Sequence, residues 1–228
     1  RKDSGTIRIL GKDCSTETSI PKEEIGVVMD EVGFPECLTP TQIGLIMKDS
    51  FNNWDSSLYS QYLQTFHLPE KKEFGQFSKG MKMKLGIAVA LSHHPKLLIL
   101  DEATSGLDPV VRDEIIDIFN DFTRDESHAI LISSHIVSDL EKICDYIAFL
   151  HKGKLVLYEE KDRLLEEYGI IQCTKEQLQE LDPSAIIGVK QTSYNTEAVI
   201  LRDQIPEGFS VQPVSIEDLF IFMIKEAH

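Results

Sequence analysis

The stretch that decides the fold is residues 77–108, which read FSKGMKMKLGIAVALSHHPKLLILDEATSGLD. Ser78 stands before a run with apolar residues at helical spacing, and this predicts a capped helix over 79–91. The unbroken apolar run at 97–100 is typical of a strand buried on both faces of a parallel sheet. A helix followed by such a strand indicates an α/β fold.

Two adjacent acids, Asp101 and Glu102, follow that strand directly. Ligands bind at the carboxyl ends of the strands in open α/β sheets, so these carboxylates are candidate site residues by position. An isolated Asp-Glu pair in the same place would be interpreted as a solvated acidic turn. The motifs on either side favour the functional interpretation.

The rest of the first 160 residues supports a mostly parallel sheet with an inserted helical subdomain over 39–92. Further strands are predicted at 6–10, 25–29 and 129–132, and the last of these is expected to be buried. Helices are predicted to begin after Thr39, with Ile43, Ile46 and Met47 on one face, and after Asp55. Another helix is predicted from Asp108-Pro109 to about Phe122. A helix over 137–144 and a hairpin turning at Lys152-Gly153 complete this part. We therefore predict one α/β domain over 1–160.

The C-terminal part has weaker patterns. Short β-like runs at 185–189 and 198–201 and a final helix over 216–225 predict a small α+β extension over 161–228.

Composition limits the classes of partner. The net charge of −15 repels phosphate backbones, so no nucleic acid is expected. The four cysteines contain no CxxC pair, which disfavours structural zinc and indicates a reducing compartment. No apolar run is long enough to span a membrane, so any spanning segment would belong to another polypeptide.

The order of motifs in residues 77–108 resembles the signature, Walker B and D-loop series of ABC-type ATPases. The resemblance covers about residues 5–160 and implies a fold like that of P-loop NTPases. It also implies that the domain predicted over 1–160 is an ABC nucleotide-binding domain. It implies that Asp101 helps to hold Mg²⁺, that Glu102 polarises the attacking water, and that His135, after the strand at 129–132, contacts the γ-phosphate of ATP. Phosphoryl transfer needs such charge neutralisation and water orientation.

The signature region departs from the common LSGGQ form at Phe77, Lys79 and Met81. Ser78 still offers a hydroxyl, Gly80 still allows close approach, and the helix start still favours an anion. Lys79 adds a charge that could reach a phosphate. Ser78, Lys79 and Gly80 are therefore expected to contact nucleotide, and this variant resembles exporter-type systems related to multidrug and lantibiotic ABC transporters.

Two further acids occupy positions of interest. Residues 25–30 resemble the Q-loop segment, with Asp30 where glutamine is usual, so Asp30 is a candidate Mg²⁺ contact or a plain loop acid. Asp108, in the D-loop match, is expected to face a dimer interface, and its place before Pro109 also predicts a helix cap.

The resemblance implies an ATP-binding, ATP-hydrolysing subunit of an ABC transporter that pairs with a second nucleotide-binding domain, as a homodimer or a heterodimer. A transmembrane permease subunit would be its partner, which implies a cytoplasmic location on the inner face of the cell membrane. Two alternatives stay open: a soluble ABC-type ATPase without a transport role, and a regulatory subunit without ATPase activity.

The sequence contains no GxxxxGK[ST] phosphate loop, or Walker A motif. The chain starts Arg1-Lys2 without methionine, and we interpret it as N-terminally truncated. We expect the full-length parent to be an ATPase and the chain as given to be inactive alone.

Overall fold

A computed structural model describes residues 3–16, 19–191, 196–206 and 208–226, and of residues 191 and 224–226 only the backbone. The chain divides into two compact units, 1–136 and 137–228. The candidate site residues named above all lie in the first unit.

The first unit contains five strands and four α-helices among its described residues. In chain order they are β1 Arg8–Ile9, β2 Lys12–Asp13, β3 Ile25–Val28, α1 Pro40–Ser50, α2 Ser56–Thr65, α3 Lys79–Leu91, β4 Leu97–Asp101, α4 Pro109–Phe122 and β5 Ala129–Ser133.

A three-stranded parallel sheet, in the order β3-β4-β5, is the centre of this unit. Val28 lies opposite Leu100, and Leu100 lies opposite Ile132, so the three strands end at one edge. Leu98 and Leu100 of the middle strand are 1% exposed. The predicted parallel sheet, and the α/β class with it, is confirmed.

The prediction that β5 is a buried strand is wrong in one respect. β5 alternates between exposed and half-buried residues, and Leu131 is 64% exposed. Val27, on the same sheet face two strands away, is 52% exposed. The difference arises because the sheet face that carries Val27 and Leu131 is open in the described part of the chain. An apolar sequence run does not reveal whether a second layer covers it.

The helical subdomain begins as its capping residues predict. Thr39 and Gln42 form a reciprocal capping box at the start of α1, and the Asp55 carboxylate accepts two backbone N–H bonds at the start of α2. The Tyr59 hydroxyl donates to the Pro40 carbonyl oxygen at 2.9 Å and joins the two helices. Ile46, predicted on the same helix face as Ile43, is 45% exposed while Ile43 is 0% exposed, so the buried face of α1 is narrower than the spacing suggested.

A buried histidine joins the end of α3 to the parallel sheet. His93 is 2% exposed; its Nε2 lies 3.0 Å from the carbonyl oxygen of Ile25 at the start of β3, and its ring stacks on Phe51 at 4.1 Å. Burial lowers the pKa of this imidazole. His93 is therefore a packing residue of the first unit.

Close packing of α3 on β3 depends on Gly26. A Cβ placed on this residue would lie 2.6 Å from Cδ2 of Leu98 and 2.9 Å from the backbone oxygen of Ala90. Both distances are too short for a real Cβ, so a side chain at residue 26 would push α3 away from β3.

Gly26→Ala is expected to destabilise the protein by about 1–3 kcal/mol, the usual cost of overpacking a core. Urea denaturation followed by circular dichroism measures the loss. Gly33→Ala is the matched control, because a Cβ there meets nothing within 4 Å. Equal stability of the two variants would contradict the close approach.

The strand predicted at 6–10 is shorter than expected. Only Arg8–Ile9 is extended, and it pairs with Lys12–Asp13 across a turn in which Leu10 and Gly11 both have positive φ. Two consecutive left-handed residues make a tight hairpin turn, which ends the strand early.

The second unit is built from short elements. They are α5 Val137–Ile143, β6 Tyr146–His151, β7 Lys154–Glu160, α6 Lys161–Glu167, β8 Tyr168–Cys173, α7 Lys175–Gln179, β9 Ile186–Gln191, β10 Thr196–Leu201, β11 Val211–Gln212 and α8 Ile216–Glu226.

The larger sheet of this unit is four-stranded and antiparallel, in the order β11-β8-β10-β9. Strands β6 and β7 form the predicted hairpin. Buried residues of β10 and α8, among them Val199 and Leu219, share one apolar cluster. The predicted α+β character is confirmed, whereas β8, β11, α6 and α7 were not foreseen. Compactness groups the hairpin with the second unit; the domain boundary near residue 160 stays a prediction.

Candidate functional site

The two acids lie at the carboxyl edge of the parallel sheet, as predicted. Asp101 is the last residue of β4 and lies opposite Ser133, the last residue of β5. The Ser133 hydroxyl donates to Oδ1 of Asp101 at 2.6 Å. This bond fixes one carboxylate oxygen and leaves the other available to a cation or its water shell.

Glu102 turns the chain out of the strand. Its φ of 52° lies in the left-handed region, which is uncommon for a residue other than glycine. Its backbone N–H donates to the Ser133 carbonyl oxygen at 3.0 Å, and its own carbonyl accepts from the Ser105 N–H at 3.0 Å. Both backbone bonds hold the conformation that moves the Glu102 side chain away from the strand direction.

His135 contacts Glu102 directly. Nδ1 of the imidazole lies 2.6 Å from Oε2 of Glu102, and the His135 backbone N–H approaches the same oxygen at 3.4 Å. The imidazole is 68% exposed and the carboxylate 28% exposed, so both reach solvent at the sheet edge. With Nδ1 bonded to the carboxylate, Nε2 is the ring atom that can meet a ligand.

The start of α3 forms a second group of candidate residues. The Ser78 hydroxyl caps the helix by accepting from the Met81 N–H at 3.3 Å. A Cβ on Gly80 would lie 3.6 Å from Val111 of α4, which is an ordinary van der Waals contact. Glycine is therefore not needed here to avoid a clash, and its lack of a side chain leaves the start of α3 accessible. The hydroxyl and the helix start are exposed and fit the expected anion contact.

Asp30 and Lys79, both predicted to act on the ligand, contact each other. The Lys79 ammonium lies 2.8 Å from Oδ1 of Asp30, and both side chains are close to half exposed. Sequence reasoning gave Asp30 to the metal and Lys79 to a phosphate and did not foresee this ion pair. In this conformation each charge is neutralised by the other.

Asp108 caps α4. Its Oδ1 accepts from the backbone N–H groups of Val110 and Val111 at 3.2 and 3.1 Å. The cap prediction is confirmed, and the expected dimer contact stays a prediction.

The donor set can be compared with the needs of Mg²⁺. Over the described residues, no three His, Cys, Asp or Glu side chains cluster as a ready-made metal site. Mg²⁺ usually takes one or two protein carboxylates and completes its shell with water and phosphate oxygens. Asp101, with one oxygen fixed by Ser133 and its side chain exposed, fits that need.

The structure thus brings Asp101, Glu102 and His135 to one edge of the sheet and places Asp30 beside Lys79 at the start of α3. The sequence analysis did not predict Ser133 as a site residue. Its position at the end of β5, the next strand along the chain after the acids, is the signal that could have identified it. Within the described part of the chain, no helix has the length and apolar character needed to cross a bilayer.

Comparison with known proteins gives a consistent result. A family described as ABC transporter matches residues 1–105. The chain is 36% identical over 155 residues to the bacitracin transport ATP-binding protein BcrA of Bacillus licheniformis, covering 67% of this chain and 51% of that protein. It is 48% identical over 93 residues to the lantibiotic transport ATP-binding protein SrtF of Streptococcus pyogenes, covering 41% of this chain and 40% of that protein.

A more distant relative covers more of the sequence. The ABC transporter ATP-binding protein YtrB of Bacillus subtilis is 26% identical over 231 residues, covering 96% of this chain and 79% of that protein. The chain therefore spans about half or less of the first two relatives and more of the third.

Solved structures agree. One described as the ATP-binding subunit of an ABC transporter superposes with a TM-score of 0.63 at 25% identity, covering 71% of this chain and 69% of that one. A dimeric ATP-binding cassette bound to ADP and Pi superposes with a TM-score of 0.60 at 18% identity, covering 69% and 74% of the two chains. The expected P-loop NTPase-like fold is confirmed.

Proposed function

Because this chain belongs to the ABC transporter family of ATP-binding proteins, we propose that it works in ATP hydrolysis that drives transport through a separate membrane protein. The contact between Glu102 and His135 beside Asp101 carries this proposal. It joins an acid and an imidazole at the edge of a parallel sheet, next to Asp101, the carboxylate that we propose holds Mg²⁺.

Each residue has a distinct part in the proposed reaction. Glu102 orients and polarises the water that attacks the γ-phosphate, and the His135 Nδ1 contact keeps the carboxylate in place. Mg²⁺, when bound, would neutralise phosphate charge, and Asp101 would hold it directly or through water. Ser78, Gly80 and the start of α3 would meet phosphate oxygens through backbone N–H groups.

The partners follow from the same proposal. We infer that a second nucleotide-binding domain faces the start of α3 and Asp108, and that a transmembrane permease subunit receives the mechanical output. A protein of this kind acts in the cytoplasm at the inner face of the cell membrane. The names of the relatives, a bacitracin transport and a lantibiotic transport ATP-binding protein, support a compound of the bacitracin or lantibiotic kind as the transported substrate.

The 228-residue chain contains no Walker A motif, so we propose that it does not bind ATP strongly by itself. A phosphate loop supplies several backbone N–H groups and a lysine, and the residues described above do not replace them. The full-length product of the gene is proposed to be the active ATPase.

Titration calorimetry with ATP and Mg²⁺ is expected to show no binding above background for the 228-residue chain and saturable binding for the full-length gene product. Micromolar affinity of the 228-residue chain would contradict its proposed inactivity. A full-length product that binds but releases no phosphate would contradict the ATPase function.

A further inference from the structure

Lys79 contacts two other segments of the first unit. Its ammonium lies 2.8 Å from Oδ1 of Asp30, which follows β3 after one residue. The same ammonium would lie 3.3 Å from a Cβ placed on Gly106, and its Cδ and Cε would lie at 3.5 and 3.7 Å from that position. The lysine side chain therefore runs over the backbone of Gly106.

Gly106 belongs to the loop that follows Asp101 and Glu102 and connects β4 to α4. This residue has a φ of 67°, and the loop is closed by two backbone bonds, from the Ser105 N–H to the Glu102 carbonyl and from the Leu107 N–H to the Thr104 carbonyl. A Cβ on Gly106 would touch the Lys79 side chain at 3.3–3.7 Å, so glycine here leaves room for the lysine stem to lie against the loop. The lysine covers the loop while Asp30 holds its end.

Both charged residues, Lys79 and Asp30, depart from the resembled pattern. The resembled pattern has a neutral glutamine in place of Asp30 and a neutral glycine in place of Lys79. An unpaired ammonium or carboxylate there would alter the field near the phosphates and the metal. As a pair within hydrogen-bond distance they add no net charge.

We propose that Lys79 is a positioning residue: paired with Asp30, it holds the loop of residues 102–107, and so Glu102, against the start of α3. This inference deepens the proposed function, since it concerns the placing of its main acid. Asp30 is then the counter-ion of Lys79 in this state, and Lys79 can reach a phosphate only after Asp30 releases it.

Amide hydrogen exchange of the 228-residue chain without nucleotide tests the proposal. The Ser105 and Leu107 amides are hydrogen-bonded within the loop and report on its opening. In Lys79→Met both should exchange faster, by about twofold to fivefold, the range expected for an exposed ion pair. Asp30→Asn should give a similar increase, because it releases the end of the same side chain.

Lys82→Met is the matched control. It removes the same charge from the same helix, but the Lys82 ammonium lies over the Phe74 ring at 4.8 Å. The double variant Asp30→Lys/Lys79→Asp restores a pair of opposite charges and should slow the exchange again, and 1 M salt should speed exchange only where the pair is intact.

An unchanged exchange rate in Lys79→Met, or the same increase in Lys82→Met, would overturn the proposal. So would an effect of Lys79→Met that Asp30→Asn does not share. The measurement needs no ATP, so its outcome is independent of whether the ATPase function holds.

Discussion

Glu102→Gln is expected to lower the rate of ATP hydrolysis by the full-length gene product by about 10²–10⁴-fold, the usual contribution of a general base. Glutamine keeps the size of the side chain and still accepts a hydrogen bond from Nδ1 of His135 through its amide oxygen. It cannot accept a proton from the attacking water. Binding of ATP should stay within a factor of a few, because Glu102 is assigned to the water and not to the nucleotide.

Phosphate release under saturating ATP measures the rate, and calorimetry measures the affinity. Glu126→Gln, an exposed glutamate in the turn before β5, is the control for loss of one negative charge and should leave both values unchanged. Undiminished hydrolysis by Glu102→Gln would remove this residue from the proposed role.

His135→Ala is expected to lower hydrolysis by about 10²-fold or more, the lower end of what a positioned acid–base group contributes. The substitution removes the 2.6 Å contact to Glu102 and leaves only the longer backbone N–H approach to the same oxygen. The carboxylate then loses the group that orients it. A protonated imidazole would also donate from Nε2 to a phosphate oxygen, and that contact would be lost too.

The double variant Glu102→Gln/His135→Ala provides a sharper test. If the two residues act as one unit, the double variant should be hardly slower than the slower single variant, since effects within a unit are not additive. His67→Ala, at an exposed histidine of the helical subdomain, is the control. Fully additive losses would show that His135 and Glu102 act independently.

The sequence was most informative where local chemistry decides the structure. Helices α3 and α4 begin after Ser78 and Asp108 because hydroxyl and carboxylate oxygens can accept from free N–H groups there, and both helices match their predicted limits. The acids at the end of β4 were found by the same reasoning, because a fully apolar run that ends in polar residues marks the carboxyl edge of a parallel strand.

The features that sequence reasoning missed depend on contacts between distant residues. Lys79 and Asp30 are 49 positions apart, and no local pattern links an ammonium to a carboxylate over that distance. The exposure of Leu131 is of the same kind, since covering a sheet face depends on another layer. β8 was missed because Tyr168–Cys173 mixes glycine and glutamine with apolar residues and lacks a regular alternation.

The left-handed backbone of Glu102 sets stability against activity at a single position. For a residue with a side chain, this left-handed φ lowers the stability of the folded protein by about 1 kcal/mol, whereas glycine adopts it without that cost. Selection for thermal stability alone would therefore favour glycine at position 102. The resulting proteins would be more stable but would lack the carboxylate that we propose acts in ATP hydrolysis. Any variant selected for higher thermal stability should be sequenced at position 102 before its stability is counted as an improvement.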